Sequence, residues 1–560
     1  MKFVRLLFLL LSMMTAALAS AGPKDRYTVL CYHDVVASLP DQYYGDSVET
    51  GQLARHFAWL RENGYKVISA DDLLAAQQGR QPLPERAVLL SFDDGYRSFY
   101  TQVFPLLQAF NYPAVLAIVG EWLAAPAGQT VEYGDSQAPR DNFLTWEQIR
   151  EMKSSGLVEI ASHSYGLHRG IIGNPQGNSM PAATTRRYDA ASGQYESVAA
   201  YQARVRADLA RNSALIAKET GAPPRIMVWP YGRHQQPVLD IAREVGMPIT
   251  MTLEPGSNRL DDGLSAVRRY YIESNPGVPE VAELIRDQDQ APRILRAIHV
   301  NLDDVHHDDA TIVQGNMDRL LDRIRDLGVN SVFLHAHSEN TREGGQSALY
   351  FPTAGGLLRA DLLSHVAWQI GTRSSAKVFG WLKSEGLGLP AGGYASAARD
   401  LALLNAVDGL VIDLPPGQPN DSASPLLAAG LSGRPLLATG VTYYPTPQRL
   451  SQKRPPEAQW LVLRPTATDL DAGAETNFPP AWLKAVARGD RIYVDIPARG
   501  TSAADRHEGA LGQRLRALQA KGITSFGYHP DDYLAKQPPL EEVLFATSVK
   551  RMFSTRLQAE

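Results

Sequence analysis

The stretch AVLLSFDDGY (87–96) decides the fold of the first half of this chain. A short, largely apolar run that ends on polar residues is typical of a buried parallel strand. Three further runs have the same form, namely YTVLCYHD (27–34), LVEIASHSYGLH (157–168) and RIMVWPYG (225–232). Catalytic groups in (β/α) barrels lie at the carboxyl ends of such strands. We therefore expect the polar residues that end these four runs to meet at the mouth of an α/β barrel.

The polar residues at these strand ends, which include His33, His163 and His168, are of the kinds that bind a metal ion. Two neutral imidazoles and one carboxylate can hold a divalent transition ion and leave positions open for water and substrate. Such an ion lowers the pKa of its bound water to about 7. Asp93 and Asp94 leave a strand in different directions, so one carboxylate can bind the ion while the other accepts a proton. Alone, Asp-Asp-Gly is more typical of a polar turn, and the companion motifs change that interpretation.

Two of these motifs resemble those of a known enzyme family. SFDDGY (91–96) followed by HSYGLH (163–168) resembles the first two motifs of the NodB-type polysaccharide deacetylases. The resemblance implies that Asp93 is the general base and that one divalent metal ion is bound, which can be Zn, Ni, Co or Fe. The metal ligands that it implies are Asp94, His163 and His168.

The spacing and order of the motifs resemble one branch of that family. The two histidines of HSYGLH lie five residues apart, as in the PgaB-type branch of periplasmic poly-β-1,6-N-acetyl-D-glucosamine deacetylases. CYHDV (31–35), at the start of the domain, resembles the permuted motif order of that branch. The resemblance implies that His33 is the general acid that protonates the departing amine. A lone histidine is otherwise more often a structural hydrogen-bonding residue.

The fourth run carries a further motif of the family. VWPYG (228–232) resembles its Pro-Tyr-Gly motif, which implies that the backbone N–H of Tyr231 helps to hold the oxyanion. Trp229 is either a wall of the acetyl pocket or ordinary core. The family places an arginine two residues before the proline, where this chain has Val228. What orients Asp93 is therefore open at this stage.

The length of the chain predicts two domains, because 560 residues exceed what one hydrophobic core serves. We expect a deacetylase domain over residues 24–275, a linker over 276–293 and a second domain over 294–560. The second domain begins with a strand, a loop, an amphipathic helix and a strand, and it resembles the C-terminal glycoside-hydrolase-like domain of PgaB-type proteins. The predicted fold class is α/β, with a NodB-type barrel followed by a TIM-barrel-like domain.

Acidic residues of the second domain form a candidate glycan groove. Asp303 and Asp304 begin the cluster DDVHHDD (303–309), which we interpret as a solvated polar loop rather than as a metal site. VDGLVIDLPPG (407–417) has Asp413-Leu414-Pro415 where the resemblance implies a His-Asp-Asp-like triplet. A glycosidase needs two carboxyls at a defined separation. We therefore expect the domain to bind glycan without efficient cleavage, with hydrolysis by Asp413 and Asp303 or Asp304 as the alternative.

The first residues have the three regions of a secretory signal. Lys2 and Arg5 precede the apolar run LLFLLLSMMTAALA (6–19), which ends in Ala17-Leu18-Ala19 before Ser20. We expect a signal peptide over residues 1–19 and a periplasmic mature chain without a transmembrane segment. Cys31 is the one cysteine, so there is neither an internal disulfide nor a lipidation cysteine directly after the signal.

The composition is that of a globular protein, with 44% hydrophobic and 21% charged residues. A net charge of −5 does not indicate a nucleic-acid partner, and it would not repel a cationic, partly deacetylated polymer. Residues 170–195 are rich in Gly, Asn, Ser and Pro, and we expect a surface loop beside the active-site mouth.

Together these features predict metal-dependent N-deacetylation of exported poly-β-1,6-N-acetyl-D-glucosamine, with the second domain binding the polymer. Besides the polymer, an outer-membrane export porin of the PgaA type is an expected partner. The alternatives are a non-catalytic polysaccharide-binding protein, a bifunctional enzyme that also hydrolyses the glycan, and a deacetylase of chitin or peptidoglycan.

Overall fold

The computed structural model describes residues 25–549 except 41–42, 135, 287–293, 341–345, 444–453, 466–490 and 499–509. The chain divides into two compact units. The first comprises residues 1–171, 180–185 and 196–291, and the second comprises 172–179, 186–195 and 292–560. The predicted signal peptide, 1–19, lies outside the described residues. Among the described helices, none has the length and apolar character needed to cross a membrane.

The first unit is built on a nine-stranded, mostly parallel sheet. Its strands are β1 (Arg26–Tyr32), β2 (Lys66–Val67), β3 (Ala87–Phe92), β4 (Ala114–Ile118), β5 (Val158–Ser162), β6 (Ile226–Val228), β7 (Ile249–Met251), β8 (Asn258–Arg259) and β9 (Tyr270–Tyr271). The order across the sheet is β7-β6-β5-β4-β3-β1-β8, with β2 paired to β3 and β9 paired to β1. The apolar runs are strands because both faces of the sheet are covered, and every residue of β3 is buried.

The register of the sheet brings the predicted site residues to one edge. Tyr32 is opposite Phe92 in the parallel pair of β1 and β3, so the residues that follow, His33 and Asp93, emerge side by side. Ser162 of β5 is opposite Ile118 on one side and Met227 on the other. The carboxyl ends of four strands therefore meet, as the sequence predicted.

The α/β fold class is confirmed, and the barrel-like first unit is a curled half-barrel. In the described residues, the sheet ends at β7 on one side and at β8 on the other, and these strands do not pair with each other. Both are short, with three and two residues, and β8 runs antiparallel to β1. Such strands offer too few ladder hydrogen bonds to close a parallel barrel.

Eight α-helices of the described first-unit residues accompany the sheet. They are Thr50–Glu62, Ala70–Gln77, Phe104–Phe110, Gly120–Ala124, Trp146–Ser154, Val198–Thr220, Gln236–Glu244 and Val278–Arg286. Two short strand pairs lie outside the main sheet. Thr130–Tyr133 pairs antiparallel with Ser136–Pro139, and Val35–Val36 pairs parallel with Val48–Glu49. The helix at Trp146–Ser154 begins with a capping box between Thr145 and Gln148, which fixes its first turn.

The segment predicted as a linker, 276–293, is in part a helix of the first unit. Val278–Arg286 is helical, and Val281 and Ile285 on its inner face pack into a core cluster of that unit. The spacing of four residues between these two side chains gives the helix an apolar stripe that a solvated linker would not bury. Residues 287–293 lie outside the described residues.

The insertion 170–195 forms two short hairpins, Gly170–Ile172 with Ser179–Pro181 and Tyr188–Asp189 with Gln194–Tyr195. Most of it belongs to the second unit. There the Tyr195 hydroxyl donates to the Asp361 carboxylate at 2.6 Å. The insertion is therefore held by specific hydrogen bonds and is more than a free surface loop.

The second unit is a closed eight-stranded parallel barrel, which confirms the TIM-barrel-like prediction. Its strands are β10 (Arg296–Asn301), β11 (Ser331–His335), β12 (Lys377–Lys383), β13 (Gly409–Asp413), β14 (Ala438–Tyr443), β15 (Trp460–Leu463), β16 (Ile492–Pro497) and β17 (Phe526–His529). The described helices around it are Leu302–Val305, Ala310–Leu327, Leu363–Ser374, Gly393–Leu404, Ser424–Gly433, Ala510–Ala520 and Leu540–Thr547.

Alternate side chains along the barrel strands pack on opposite sides of the sheet, into one core inside the barrel and another between the barrel and its helices. Phe333 packs inside with Trp381 and Tyr493, whereas its neighbours Val332 and Leu334 pack outward against the helices. Closure between β17 and β10 needs glycine at 527, because a Cβ there would lie 1.8 Å from the carbonyl oxygen of residue 297. The interior is thus packed, and polar groups are left to the strand ends.

Candidate metal centre and catalytic residues

The turn after β3 separates the two adjacent aspartates. Asp94 has a φ of 73° and Gly95 has the same value, so the chain turns through the left-handed region. Aspartate visits this region more readily than most non-glycine residues. A Cβ on Gly95 would lie 3.1 Å from Ile118. The turn directs Asp93 toward β1 and Asp94 toward β5.

Asp94, His163 and His168 converge as the sequence predicted. Oδ1 of Asp94 lies 3.4 Å from Nε2 of His163 and 3.3 Å from Nε2 of His168. Ligand atoms about 2.1 Å from a tetrahedral ion are about 3.4 Å apart, so this spacing suits a divalent metal. Within the described residues, the buried Oδ1 has no hydrogen-bond partner. The three ligand atoms therefore fit a metal ion.

The tautomer of His163 supports the same conclusion. Its Nδ1 lies 2.7 Å from the carbonyl oxygen of Val228, which can only accept a hydrogen bond. Nδ1 therefore carries the hydrogen, and the Nε2 of the neutral ring presents a lone pair to Asp94. Fixing a ligand histidine through its other nitrogen is typical of metal sites.

Tyr133 is a site residue that sequence reasoning missed. Its hydroxyl donates to Oδ2 of Asp94 at 3.1 Å and lies 2.5 Å from the Tyr96 hydroxyl. These bonds engage Oδ2 and leave Oδ1 of Asp94 facing the two histidines. Tyr133 comes from a hairpin of the 126–140 segment, and no local motif marked it.

A helix outside the sheet holds the loop that carries the two histidines. Asp208, on Val198–Thr220, accepts hydrogen bonds from the backbone N–H groups of Tyr165 and Gly166, both at 2.8 Å. Ser164 has a φ of 71°, so the loop turns sharply directly after His163. These two hydrogen bonds form a clamp on the loop between the histidines, and both imidazole rings face Asp94.

Arg269 orients Asp93 and answers the question that the sequence left open. Its Nη1 and Nη2 donate to Oδ1 and Oδ2 of Asp93 at 2.8 and 2.9 Å. Both side chains are almost fully buried, at 0% and 2% exposure. Burial alone would raise the pKa of Asp93, but the charge and hydrogen bonds of Arg269, together with the nearby His163 and His33, outweigh burial and lower the pKa to about 2. Asp93 is therefore ionised and fixed in direction.

Arg269 reaches Asp93 from a place that the motif pattern does not mark. It directly precedes β9, which pairs in parallel with β1 at Leu30 and Tyr270. Its Nε also donates to the carbonyl oxygen of Thr252 at 2.8 Å. The sequence VRRYYI (267–272) has two arginines before two tyrosines, and this was the one local sign of a buried arginine. Only the pairing of β9 with β1 shows that Arg269 reaches Asp93.

His33 lies beside the aspartate that it was predicted to complement. Its Nε2 is 3.9 Å from Oδ2 of Asp93, and its side chain is 11% exposed. The Tyr271 ring contacts the imidazole edge-on at 5.0 Å. Cys31 is buried, and burial raises the pKa of its thiol well above the usual range, so it is a neutral core residue rather than a nucleophile.

The Pro-Tyr-Gly segment approaches the histidines, but its two aromatic residues differ. Tyr231 has a φ of 57°, is 40% exposed, and its ring lies 4.6 Å from that of His168. Trp229 is fully buried in a cluster with Leu167 and Met227. The contacts support core packing for Trp229, and its role as an acetyl-pocket wall stays a prediction.

Comparisons with known proteins agree with this geometry. The family described as polysaccharide deacetylase matches residues 80–250, and the hypothetical glycosyl hydrolase family 13 matches residues 299–391. A poly-β-1,6-N-acetyl-D-glucosamine N-deacetylase of Escherichia coli is 37% identical over 361 residues, which are 64% of this chain and 53% of that protein. The chain belongs to the PgaB-type polysaccharide deacetylases. It spans about half the length of this curated relative.

Solved structures are similar to each half of this PgaB-type chain. The deacetylase domain of BpsB from Bordetella bronchiseptica is 45% identical, with a TM-score of 0.41, and the match covers 45% of this chain and 97% of that one. The PgaB (BpsB) glycoside hydrolase domain from the same organism is 20% identical, with a TM-score of 0.38, over 46% of this chain and 99% of that one.

The predicted groove acids of the second PgaB-type domain lie at different barrel strands. The Asp303 carboxylate, after β10, accepts hydrogen bonds from Ser338 and Tyr350 at 2.6 Å and from the Glu339 backbone at 2.7 Å. It is therefore a structural acceptor rather than part of a solvated loop. Burial, assisted by Asp532 and Asp303, raises the pKa of Asp304 to about 6.

Asp413 ends β13 and is also engaged. Its Oδ2 accepts a hydrogen bond from Nε1 of the buried Trp381 at 3.1 Å and lies 3.7 Å from Nη1 of Arg464. Because the tryptophan and the arginine hold the carboxylate in place, Asp413 is a fixed polar group at the barrel mouth. Its pairing with Asp303 or Asp304 across a glycosidic bond stays a prediction.

Proposed function

We propose that this chain removes acetyl groups from poly-β-1,6-N-acetyl-D-glucosamine, with one divalent metal ion held by Asp94, His163 and His168. The observation that carries the proposal is the division of labour between adjacent aspartates. Asp94 faces two imidazole nitrogens at 3.3–3.4 Å, while Asp93 is turned away and held by Arg269. A binding module has no chemical need for such an arrangement.

The chain's own residues account for the proton transfers of amide hydrolysis. A bound divalent ion supplies polarisation of the acetamide carbonyl and a lowered pKa of the attacking water. Asp93 accepts the proton of that water when its oxygen bonds to the carbonyl carbon. His33 gives a proton to the glucosamine nitrogen as the C–N bond breaks, and acetate leaves with the new oxygen. The backbone N–H of Tyr231 donates to the carbonyl oxygen as it gains negative charge.

The substrate proposal rests on kinship and domain organisation together. The curated relative in Escherichia coli is named for the β-1,6 polymer, and its similarity to this chain extends over 361 residues. We infer that the mature chain acts in the periplasm, where the polymer is exported, and that an outer-membrane porin of the PgaA type receives the product. The acidic net charge of −5 is compatible with a polymer that becomes cationic as acetyl groups leave.

The second domain is proposed to bind the polymer rather than to cleave it. Asp303 accepts three hydrogen bonds, and Asp413 is held by Trp381 and Arg464. Both carboxylates already have hydrogen-bond or ion-pair partners within the protein, whereas a general acid or nucleophile must be able to reach the glycosidic bond. A polymer held there stays near the deacetylase centre, which raises its effective concentration.

Acetate release from matched oligomers tests the substrate. We expect the zinc- or cobalt-loaded chain to deacetylate β-1,6-linked N-acetylglucosamine pentamers and to leave β-1,4-linked pentamers of the same length largely intact. Protein stripped of metal should release acetate from neither. Equal or faster release from the β-1,4 oligomer would favour chitin or peptidoglycan, and release from neither by loaded protein would favour a binding protein.

A further inference from the structure

Three neighbouring strands of the second barrel bring together two histidines and an aspartate that the deacetylase centre does not use. His299 lies on β10, Asp495 on β16 and His529 on β17. Oδ2 of Asp495 is 3.2 Å from Nε2 of His299, and Oδ1 is 2.9 Å from Nδ1 of His529. One ligand atom from each residue lies within 4.8 Å of the other two.

These atoms are buried without the hydrogen bonds that buried polar atoms usually have. Nε2 of His299, Nδ1 of His529 and both carboxylate oxygens of Asp495 make ion-pair contacts at 2.9–3.2 Å but no well-aligned hydrogen bond in the part of the chain that the structure describes. Asp495 is 0% and His299 is 1% exposed. Buried polar atoms in native structures nearly always have a well-aligned hydrogen bond, so this cluster indicates a ligand that satisfies the atoms together.

The hydrogen bonds behind His299 determine which of its nitrogens faces Asp495 with a lone pair. Nδ1 of His335 lies 2.9 Å from Oε1 of Glu339, which can only accept, so this Nδ1 carries a hydrogen. Nε2 of a neutral His335 is then an acceptor, and it lies 3.0 Å from Nδ1 of His299. Nδ1 of His299 must therefore donate, which leaves a lone pair on its Nε2.

A lone pair and a carboxylate oxygen 3.2 Å apart repel each other unless a cation lies between them. We propose that His299, Asp495 and His529 bind a divalent transition metal ion, in a second metal site separate from the deacetylase centre. Two imidazoles and one carboxylate form a ligand set used for Zn²⁺ and Fe²⁺ where coordination positions stay open. His529 has 23% of its side chain exposed, so solvent reaches the site from its side.

Arg464 does not remove the need for a further cation. Its Nε is 3.0 Å from Oδ2 of Asp495, and its Nη1 is 3.7 Å from Oδ2 of Asp413. One guanidinium charge thus serves two carboxylates, so one negative charge remains when the imidazoles of His299 and His529 are neutral. Removing charged groups from water without full compensation is costly, and a metal ion supplies the missing charge.

A second arrangement would satisfy the same atoms without metal. An extra proton on His335 would let it donate both to Glu339 and to His299, and Nε2 of His299 would then donate to Asp495. The cluster would be a proton-linked network rather than a metal site. Metal content distinguishes the two arrangements directly.

The test counts metal ions per chain by mass spectrometry after loading with Zn²⁺ and removal of unbound ion. We expect His529→Ala and Asp495→Asn each to hold one ion fewer than the unaltered chain. His163→Ala should lose the deacetylase ion and keep the second-domain ion. His163→Ala combined with His529→Ala should then hold none. Asp495→Asn keeps the shape of the side chain, and circular dichroism checks the fold of each variant.

His307→Ala is the control, because this exposed histidine of the second unit belongs to none of the described groups of side chains that could hold a metal ion. It should hold as many ions as the unaltered chain. Equal metal content in the unaltered chain, His529→Ala and Asp495→Asn would overturn the site, as would loss of the same ion in His307→Ala. An ion that His529→Ala removes and His163→Ala does not would support the site even if the deacetylase centre held no metal.

Discussion

At the scale of single residues, the proposed catalytic centre contains two neighbouring aspartates that have opposite environments. Asp93 is paired with a buried guanidinium, whereas Asp94 faces two imidazole nitrogens and a tyrosine hydroxyl. The left-handed turn at Asp94 makes the separation possible, because it directs consecutive side chains to different walls. Two carboxylates with one chemistry thereby take two roles.

Replacing Arg269 tests whether Asp93 must be positioned as well as present. Arg269→Gln should lower kcat by about 10²–10⁴, the usual contribution of positioned proton transfer, with KM and metal content almost unchanged. It should also cost about 3–5 kcal/mol in the free energy of unfolding, because Asp93 stays buried without a partner. Steady-state kinetics and urea unfolding measure the two effects.

Arg269→Lys separates positioning from simple packing. A lysine keeps the charge but not the bidentate geometry, so we expect most of the stability to return and only part of kcat. If Arg269→Gln kept normal turnover, or if metal content fell along with kcat, Arg269 would not act through Asp93.

Tyr133 offers a second test at this scale, on the ligand side. Tyr133→Phe removes the hydrogen bond to Oδ2 of Asp94 and should weaken metal binding by about 10–100-fold, as loss of such supporting bonds usually does. Competition with a metal-binding dye measures the affinity. Tyr100→Phe is the control, since its hydroxyl bonds to the distant Glu151. Equal affinities in the two variants would contradict the role of Tyr133.

At the scale of elements, the sequence predicted what lies at strand ends and missed what other elements bring to them. His33, Asp94 and His163 were visible because each follows an apolar run whose period marks a buried strand. Arg269 and Tyr133 were not, because only the pairing of β9 with β1 and the folding of a hairpin bring them to the site. Such tertiary placement has no local pattern.

The same reasoning explains what strand periodicity leaves undetermined within the confirmed fold class. Strand periodicity predicted a barrel for each domain, but periodicity does not reveal whether the outer strands meet. In the first unit the outer strands are two and three residues long and the described sheet is open, whereas eight strands close in the second. The stretch SNPGVPEVAELIRDQDQAPR (274–293) marks the boundary between two α/β patterns, but it does not reveal that Val278–Arg286 is a helix packed on the first unit.

The clamp on the histidine loop is an element-scale prediction. Asp208→Ala leaves the N–H groups of Tyr165 and Gly166 without their acceptor and should cost about 1–3 kcal/mol of stability. Asp208→Asn keeps one acceptor oxygen and should cost less. Thermal unfolding of the metal-loaded chain checks both. A loss no larger for alanine than for asparagine would mean that the clamp does not hold the loop.

At the scale of the whole molecule, the chain joins a half-barrel with a hydrolytic constellation to a closed barrel whose mouth is lined by engaged polar groups. We expect full-length Asp93→Asn to retain partly deacetylated polymer and to leave its length unchanged. Chain-length analysis after incubation measures this result, and Asp93→Asn combined with Asp413→Asn is the comparison. Shorter products from the single variant that disappear in the double variant would reveal a glycosidase.

The central claim is that Asp94, His163 and His168 hold a metal ion that amide hydrolysis requires, while Asp93 acts as the base. The most direct measurement is acetate release and metal content, side by side, for Asp93→Asn and His163→Ala on β-1,6-linked N-acetylglucosamine oligomers. We predict that Asp93→Asn keeps its metal and loses turnover by about 10²–10⁴, whereas His163→Ala loses both. Metal retained in His163→Ala, or near-normal turnover in either variant, would contradict the account.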